Sequence, residues 1–185
     1  PTNKTKYGAT LFPRLLNILV PQQENGDHSA TMYTHYYMRA AAACLATLCT
    51  DPTIIKQQQQ QQQLHLFKQA VQQCNGDVEV LRHLAECLWH IISEASNGGY
   101  LDTLAGQQGV CDALPLLVTL GERQRLPVVK ELAEQALQIC WKSGVEVKER
   151  IIKVALDEGI SLPPVGEEPL DKEEEVVVVE EEGST

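Results

Sequence analysis

Leu84-Ala85-Glu86-Cys87-Leu88-Trp89-His90-Ile91 decides the fold. Its apolar residues Leu84, Cys87, Leu88 and Ile91 stand at i, i+3, i+4 and i+7, which on a 3.6-residue period is one stripe along a helix. The same spacing occurs at Ala41, Cys44, Leu45 and Leu48, and again at Ala133, Ala136, Leu137 and Cys140. The stripes recur 43 and then 49 residues apart, Cys44 to Cys87 and Cys87 to Ala136, a separation typical of stacked helical repeats. A helix pair cannot cover its own stripe, and each buried Leu or Ile is worth about 2 kcal/mol. The pattern therefore predicts an all-α chain whose units stack on one another.

Each stripe is preceded by a second helical segment: Leu11-Phe12-Pro13-Arg14-Leu15-Leu16, then Leu64-His65-Leu66-Phe67, then Ala113-Leu114-Pro115-Leu116-Leu117. Polar breaks separate the members of each pair, at 21–30, at Asn75-Gly76-Asp77 and at 121–125. Asp77 is placed to cap the helix that follows it, and Pro127 suits a first helical turn, where its missing N–H has no partner to lose. Short lead helices are expected over Tyr100–Gly106 and Lys148–Gly159.

The passage from Glu149 to Pro163, with Asp157-Glu158-Gly159 before Leu162-Pro163, resembles the armadillo repeat, in which a short helix ends in an acidic residue and Gly before Leu-Pro opens the next helix. HEAT repeats share the two-helix stripe, and the armadillo-like pattern is the preferred one. The resemblance implies a right-handed α-solenoid of about three repeats plus a partial fourth over residues 1–163, with units at about 8–50, 51–96, 97–144 and 145–163. These units exceed the usual armadillo repeat of about 42 residues. Part of the excess is the run of seven glutamines at 57–63, which reads as an expansion tolerated on a solvated surface and able to extend the Leu64 helix.

In the armadillo family the stripe helices line a concave groove that takes the partner. The positions that would face it here are Arg39, Ala43 and Thr47, then Arg82, Glu86 and His90, then Glu131, Gln135 and Ile139. Importin-type members hold basic peptides with a ladder of Trp and Asn at the second and third of these positions. This chain has Ala43, Glu86 and Gln135 where Trp would stand, and Thr47, His90 and Ile139 where Asn would stand. That departure argues against recognition of nuclear signals. Trp89 and Trp141 lie elsewhere on their helices and read as packing between units.

Charge bears on partners. Nine acids and one base lie at or beyond Glu167, so −8 of the net −10 belongs to the tail and −2 to the rest. No clustered basic face is left to neutralise phosphates, and nucleic acid is not expected as a partner. No stretch approaches the length of a membrane span and no signal peptide opens the chain. The six cysteines form no CxxC pair, and three of them (44, 87, 140) belong to the stripes. Buried free thiols and an intracellular setting, cytoplasmic or nuclear, are the expectation. The chain starts at Pro1, which reads as a piece of a longer or processed protein.

Catalytic and cofactor chemistry has little in its favour. His83, Cys87 and His90 have metal-like spacing, yet Cys87 belongs to the core stripe, and zinc would need a fourth ligand. There is no GxSxG and no phosphate-binding Gly-rich loop. Tyr33, Tyr36 and Tyr37 stand at i, i+3 and i+4 ahead of the first stripe and read as packing of the terminal unit. Residues 164–185 lose helical period and are expected to form a disordered acidic tail. Within it Val176-Val177-Val178-Val179, flanked by acidic runs, resembles a SUMO-interacting motif, which implies strand addition to a SUMO-like domain. The expected function is thus a non-enzymatic protein-binding scaffold without cofactor, metal or small-molecule substrate. The alternative is a regulatory or targeting domain of a larger enzyme or chaperone assembly.

Overall fold

The computed structural model describes residues 3–20, 31–106 and 109–162, and among them every regular element is helical. In chain order these are α1 (Asn3–Leu19), α2 (Thr31–Leu48), α3 (Pro52–Gln60), a 3-10 turn (Gln63–Leu66), α4 (Phe67–Gln73), α5 (Val78–Asn97), α6 (Leu101–Gly106), α7 (Val110–Arg123), α8 (Pro127–Ser143) and α9 (Val145–Asp157). The break at 21–30, the acidic tail and Val176–Val179 lie outside the described residues.

Local chemistry sets several boundaries. Asp51 starts α3 by accepting from the Thr53 N–H at 3.0 Å, with Pro52 at the first helical position. Asp77 starts α5 in the same way, accepting from the N–H groups of Glu79 and Val80 at 3.2 and 3.3 Å, as its sequence position predicts. Pro127 opens α8. At the end of α5, Tyr100 N–H donates to Ala95 O and Gly99 N–H to Ser96 O, with Gly99 left-handed at φ 69°. This is a Schellman turn, and it satisfies the last carbonyls of the helix.

The helices pack in two rows. α2, α5 and α8 lie side by side in chain order, and α1, α4 and α7 form a second row that α9 continues. α1 packs on α2 and α7 on α8. The stripes face between the rows: Ala41, Leu45, Leu48, Leu84, Cys87, Leu88, Ile91, Ala133, Ala136, Leu137 and Cys140 are all buried. Phe12 of α1 meets Phe67 of α4 edge to face at 6.4 Å, and both rings are fully buried. Trp89 and Trp141 are half-buried against the same core. At Gly121 the chains of α7 and α8 cross so closely that a Cβ would lie 2.8 Å from the Lys130 amide nitrogen. α7 runs to Arg123, three residues into the expected break at 121–125.

Three expectations are overturned. Cys44 is exposed, not core. α2 opens its row, no described helix lies beyond it in that row, and Cys44 lines an open groove there with Leu15, Ile18 and Tyr37. For the same reason Tyr36 and Tyr37 are not packed; they are 71% and 60% exposed and touch each other edge to face at 6.0 Å.

The third concerns the glutamine run, which is not a solvated expansion at Gln58 and Gln59: they are 0% and 7% exposed. Pro13 sits inside α1 and carries no N–H, so the Ala9 carbonyl four residues earlier has no helical donor. Gln58 Nε2 donates to that carbonyl at 2.9 Å, tying α3 to α1 at the proline. The run also extends the helix before it, α3, instead of the Leu64 helix. Gln62 turns left-handed at φ 55°, and Leu64 falls in the 3-10 turn.

Candidate functional site

The α2–α5–α8 row carries the polar residues that the stripe register places on one face. Thr47 of α2 and Glu86 and His90 of α5 line one shallow cleft of about 290 Å³ together with Ala43, Ala46, Thr50 and His83. Ala43 and Ala46 contribute small side chains on the α2 side, beside the larger residues of α5. Thr47 Oγ1 donates back to the Ala43 carbonyl at 3.0 Å. Glu86 Oε2 lies 2.9 Å from His83 Nδ1 on its own helix, with both side chains half-buried. His90 meets the Trp89 ring edge to face at 4.9 Å. The cleft offers a carboxylate, two imidazoles and two hydroxyls beside two alanines, a set suited to hydrogen bonding with a polar segment.

The other register positions lie elsewhere. Arg39 reaches from α2 to the start of α5, where its Nε donates to both oxygens of Asp77 at 2.8 and 3.1 Å. It joins two helices of the row, while its side chain stays 56% exposed. Arg82 turns along α5 to Glu79 Oε2 at 2.9 Å. On α8, Gln135 Nε2 donates to Glu131 Oε1 at 3.2 Å and both are exposed. Ile139 is half-buried against the core.

Two interhelical pairs carry no sequence motif. Asp77 is one centre: it caps α5, accepts from Arg39, and has His35 Nδ1 at 3.4 Å. Only its capping role was legible. The other is Arg150 of α9, which makes a bidentate contact to Asp112 of α7 through Nε and Nη2 at 2.7 and 2.9 Å. Such forked pairs fix helix orientation more firmly than single-point contacts. Each pair spans 38 residues of chain, and no local spacing announces it.

Burial alone would push the Asp77 carboxyl up. The hydrogen bond from Arg39, the Val80 N–H and the Arg39 charge outweigh burial and hold it below its ordinary value of 3.8. A carboxylate whose folded value is depressed contributes stability that is present above the unfolded value and is lost as pH falls through the folded one. The expected result is a urea midpoint that declines as pH drops from about 5 toward 2. Asp77→Asn, which can still cap but cannot pair with Arg39, should be less stable at neutral pH and decline less steeply over that range. Parallel acid profiles for the two proteins would show that Asp77 is not a source of the acid sensitivity.

The cysteines are all free, and five of them are buried. Burial and the Cys49 thiol beside it push Cys87 well above the ordinary thiol range. Burial, and then the Asp77 charge, push Cys74 up to about 12. Burial favours the neutral thiol at both positions. Cys87 is fully buried, which keeps it apart from the cleft that His83 and His90 line. Among the described residues no three His, Cys, Asp or Glu side chains stand close enough to hold a metal ion. None of the described helices is long and apolar enough to cross a membrane.

Comparison with known proteins returned no match to a family model, to a curated protein or to a solved structure.

Proposed function

We propose that this chain is a non-catalytic protein-binding module, built as a right-handed α-solenoid of about three armadillo-like units plus a partial fourth. The α2–α5–α8 row is its docking face. What carries the reading is the cleft in which Thr47, Glu86 and His90 meet across two neighbouring helices. Those residues come from stretches 43 residues apart, and the stacking of their units is what makes them one surface. The face continues to Glu131 and Gln135 on α8. It suits an extended polar segment of another protein better than a small ligand, because the cleft is shallow and open to solvent. A second contact through the tail residues Val176–Val179 with a SUMO-like domain belongs to the same proposal, as does an intracellular location.

The experiment is affinity capture with the whole chain and with a chain lacking residues 166–185, followed by titration of each recovered protein against variants. Glu86→Ala combined with His90→Ala should weaken binding at least about tenfold, a loss of about 1.4 kcal/mol. The melting temperature should move little, because partly solvated positions alter stability by about 0.5 kcal/mol each. Unchanged affinity in a folded double variant would remove the cleft from the interface. Binding lost only with the tail deletion would place recognition there.

A further inference from the structure

The two ends of the second helical row carry exposed apolar stripes. α1 opens the row and shows Tyr7, Leu11 and Ile18 at 64%, 43% and 42% exposure. α9 closes it and shows Val145, Ile152 and Leu156 at 68%, 39% and 74%. These are the faces opposite the buried ones, which on α1 are Phe12, Leu16 and Leu19 and on α9 are Val147, Ile151 and Val154. Each exposed stripe also contains one charge of opposite sign to the other, Arg14 on α1 and Glu149 on α9. Both are exposed, and neither forms an ion pair among the described residues.

The two stripes are complementary in one orientation. Read forward, α1 runs Tyr7, Leu11, Arg14, Ile18; read backward, α9 runs Leu156, Ile152, Glu149, Val145. The intervals are 4, 3 and 4 in both. Laid antiparallel, the helices set Tyr7 on Leu156, Leu11 on Ile152, Arg14 on Glu149 and Ile18 on Val145. A parallel arrangement would set Glu149 on Leu11 and Arg14 on Ile152, leaving both charges against alkyl groups. Self-pairing fails similarly: α1 on α1 sets Arg14 against Leu11, and α9 on α9 sets Glu149 against Ile152.

We infer that copies of this chain associate head to tail, with α1 of one molecule antiparallel on α9 of the next. The open apolar groove of Leu15, Ile18, Tyr37, Ala40, Ala41 and Cys44 adjoins the α1 stripe and widens the surface that the next molecule covers. Apolar contact supplies the attraction, and the Arg14–Glu149 pair selects partner end and direction. Because the two surfaces differ, the contact is heterologous and does not close at two chains; it propagates into rows, or into rings where the rotation permits.

The test is sedimentation of the 185-residue chain over a range from about 1 µM to about 500 µM, wide enough to expose a weak association. The mass should rise past two chains as concentration increases. Arg14→Glu or Glu149→Arg alone places like charges together and should weaken association by about a hundredfold, with the helical spectrum unchanged. An equimolar mixture of these two non-assembling variants should assemble again. The introduced glutamate of one variant then faces the introduced arginine of the other, and the unaltered Arg14 faces the unaltered Glu149. Leu156→Glu, at the most exposed apolar position of the stripes, should abolish growth by a separate route. A single-chain mass at every concentration, a plateau at two chains, or a mixture that fails to reassemble would each overturn the inference.

Discussion

Leu88→Asp unfolds the chain or drives it into aggregates. Leu88 is fully buried in α5, and α5 is the middle helix of its row, with α2 on one side and α8 on the other. The substitution removes a leucine whose burial contributes about 2 kcal/mol. It also places a carboxylate inside the apolar cluster to which Leu88 belongs. A buried ion without a partner costs several kcal/mol more, even after it takes up a proton. A domain of this size has about 5–15 kcal/mol of stability in all, so the combined penalty consumes most of it. Because α5 touches both neighbours, the damage spreads along the row. Circular dichroism melts give the answer, with Val128→Asp at a 50% exposed position as the control that should melt like the parent. A Leu88→Asp chain with the parent's melting curve would mean that the stripe is not the core.

The stripe was legible because it is a local pattern: four residues within two turns report which way a helix faces. What lies between neighbouring helices was not. Cys44 has the same spacing as Cys87 and is nevertheless exposed, since burial depends on whether a further helix lies beyond α2 in its row, and spacing carries no information about that. Tyr36 and Tyr37 read as packing for the same reason and are exposed for the same reason. Gln58 was hidden differently. Its role is set by Pro13, which leaves the Ala9 carbonyl without a helical donor, and the two residues meet only after α3 folds back on α1. Low complexity at 57–63 argued for a solvated run, and the orphaned carbonyl won. In the candidate site, Thr47, Glu86 and His90 line one cleft, whereas Arg39 pairs with Asp77, an acid whose capping role is visible in the sequence and whose second partner is not.

Gly109→Ala should be the most destabilising single-methyl change outside the stripes. Gly109 begins α7 with φ 123° and ψ −46°, a conformation that costs a residue with a side chain about 1–3 kcal/mol. A Cβ there would also lie 2.5 Å from the carbonyl oxygen of His65 and 2.7 Å from its carbonyl carbon and Cα. Those atoms are backbone of the 3-10 turn Gln63–Leu66, so no rotamer change relieves the clash and the turn must move. That turn leads into α4, whose Phe67 packs on Phe12 of α1, and displacing it loosens the second row at its middle. The two costs together give an expected loss of about 3 kcal/mol or more, read as a lowered urea midpoint with an unchanged slope. Gly76→Ala is the matched control: a Cβ at Gly76 meets nothing within 4 Å, and its stability should stay within about 0.5 kcal/mol of the parent. Equal midpoints for the two alanine variants would mean that α7 does not approach the His65 turn as closely as the packing of α4 against α7 requires.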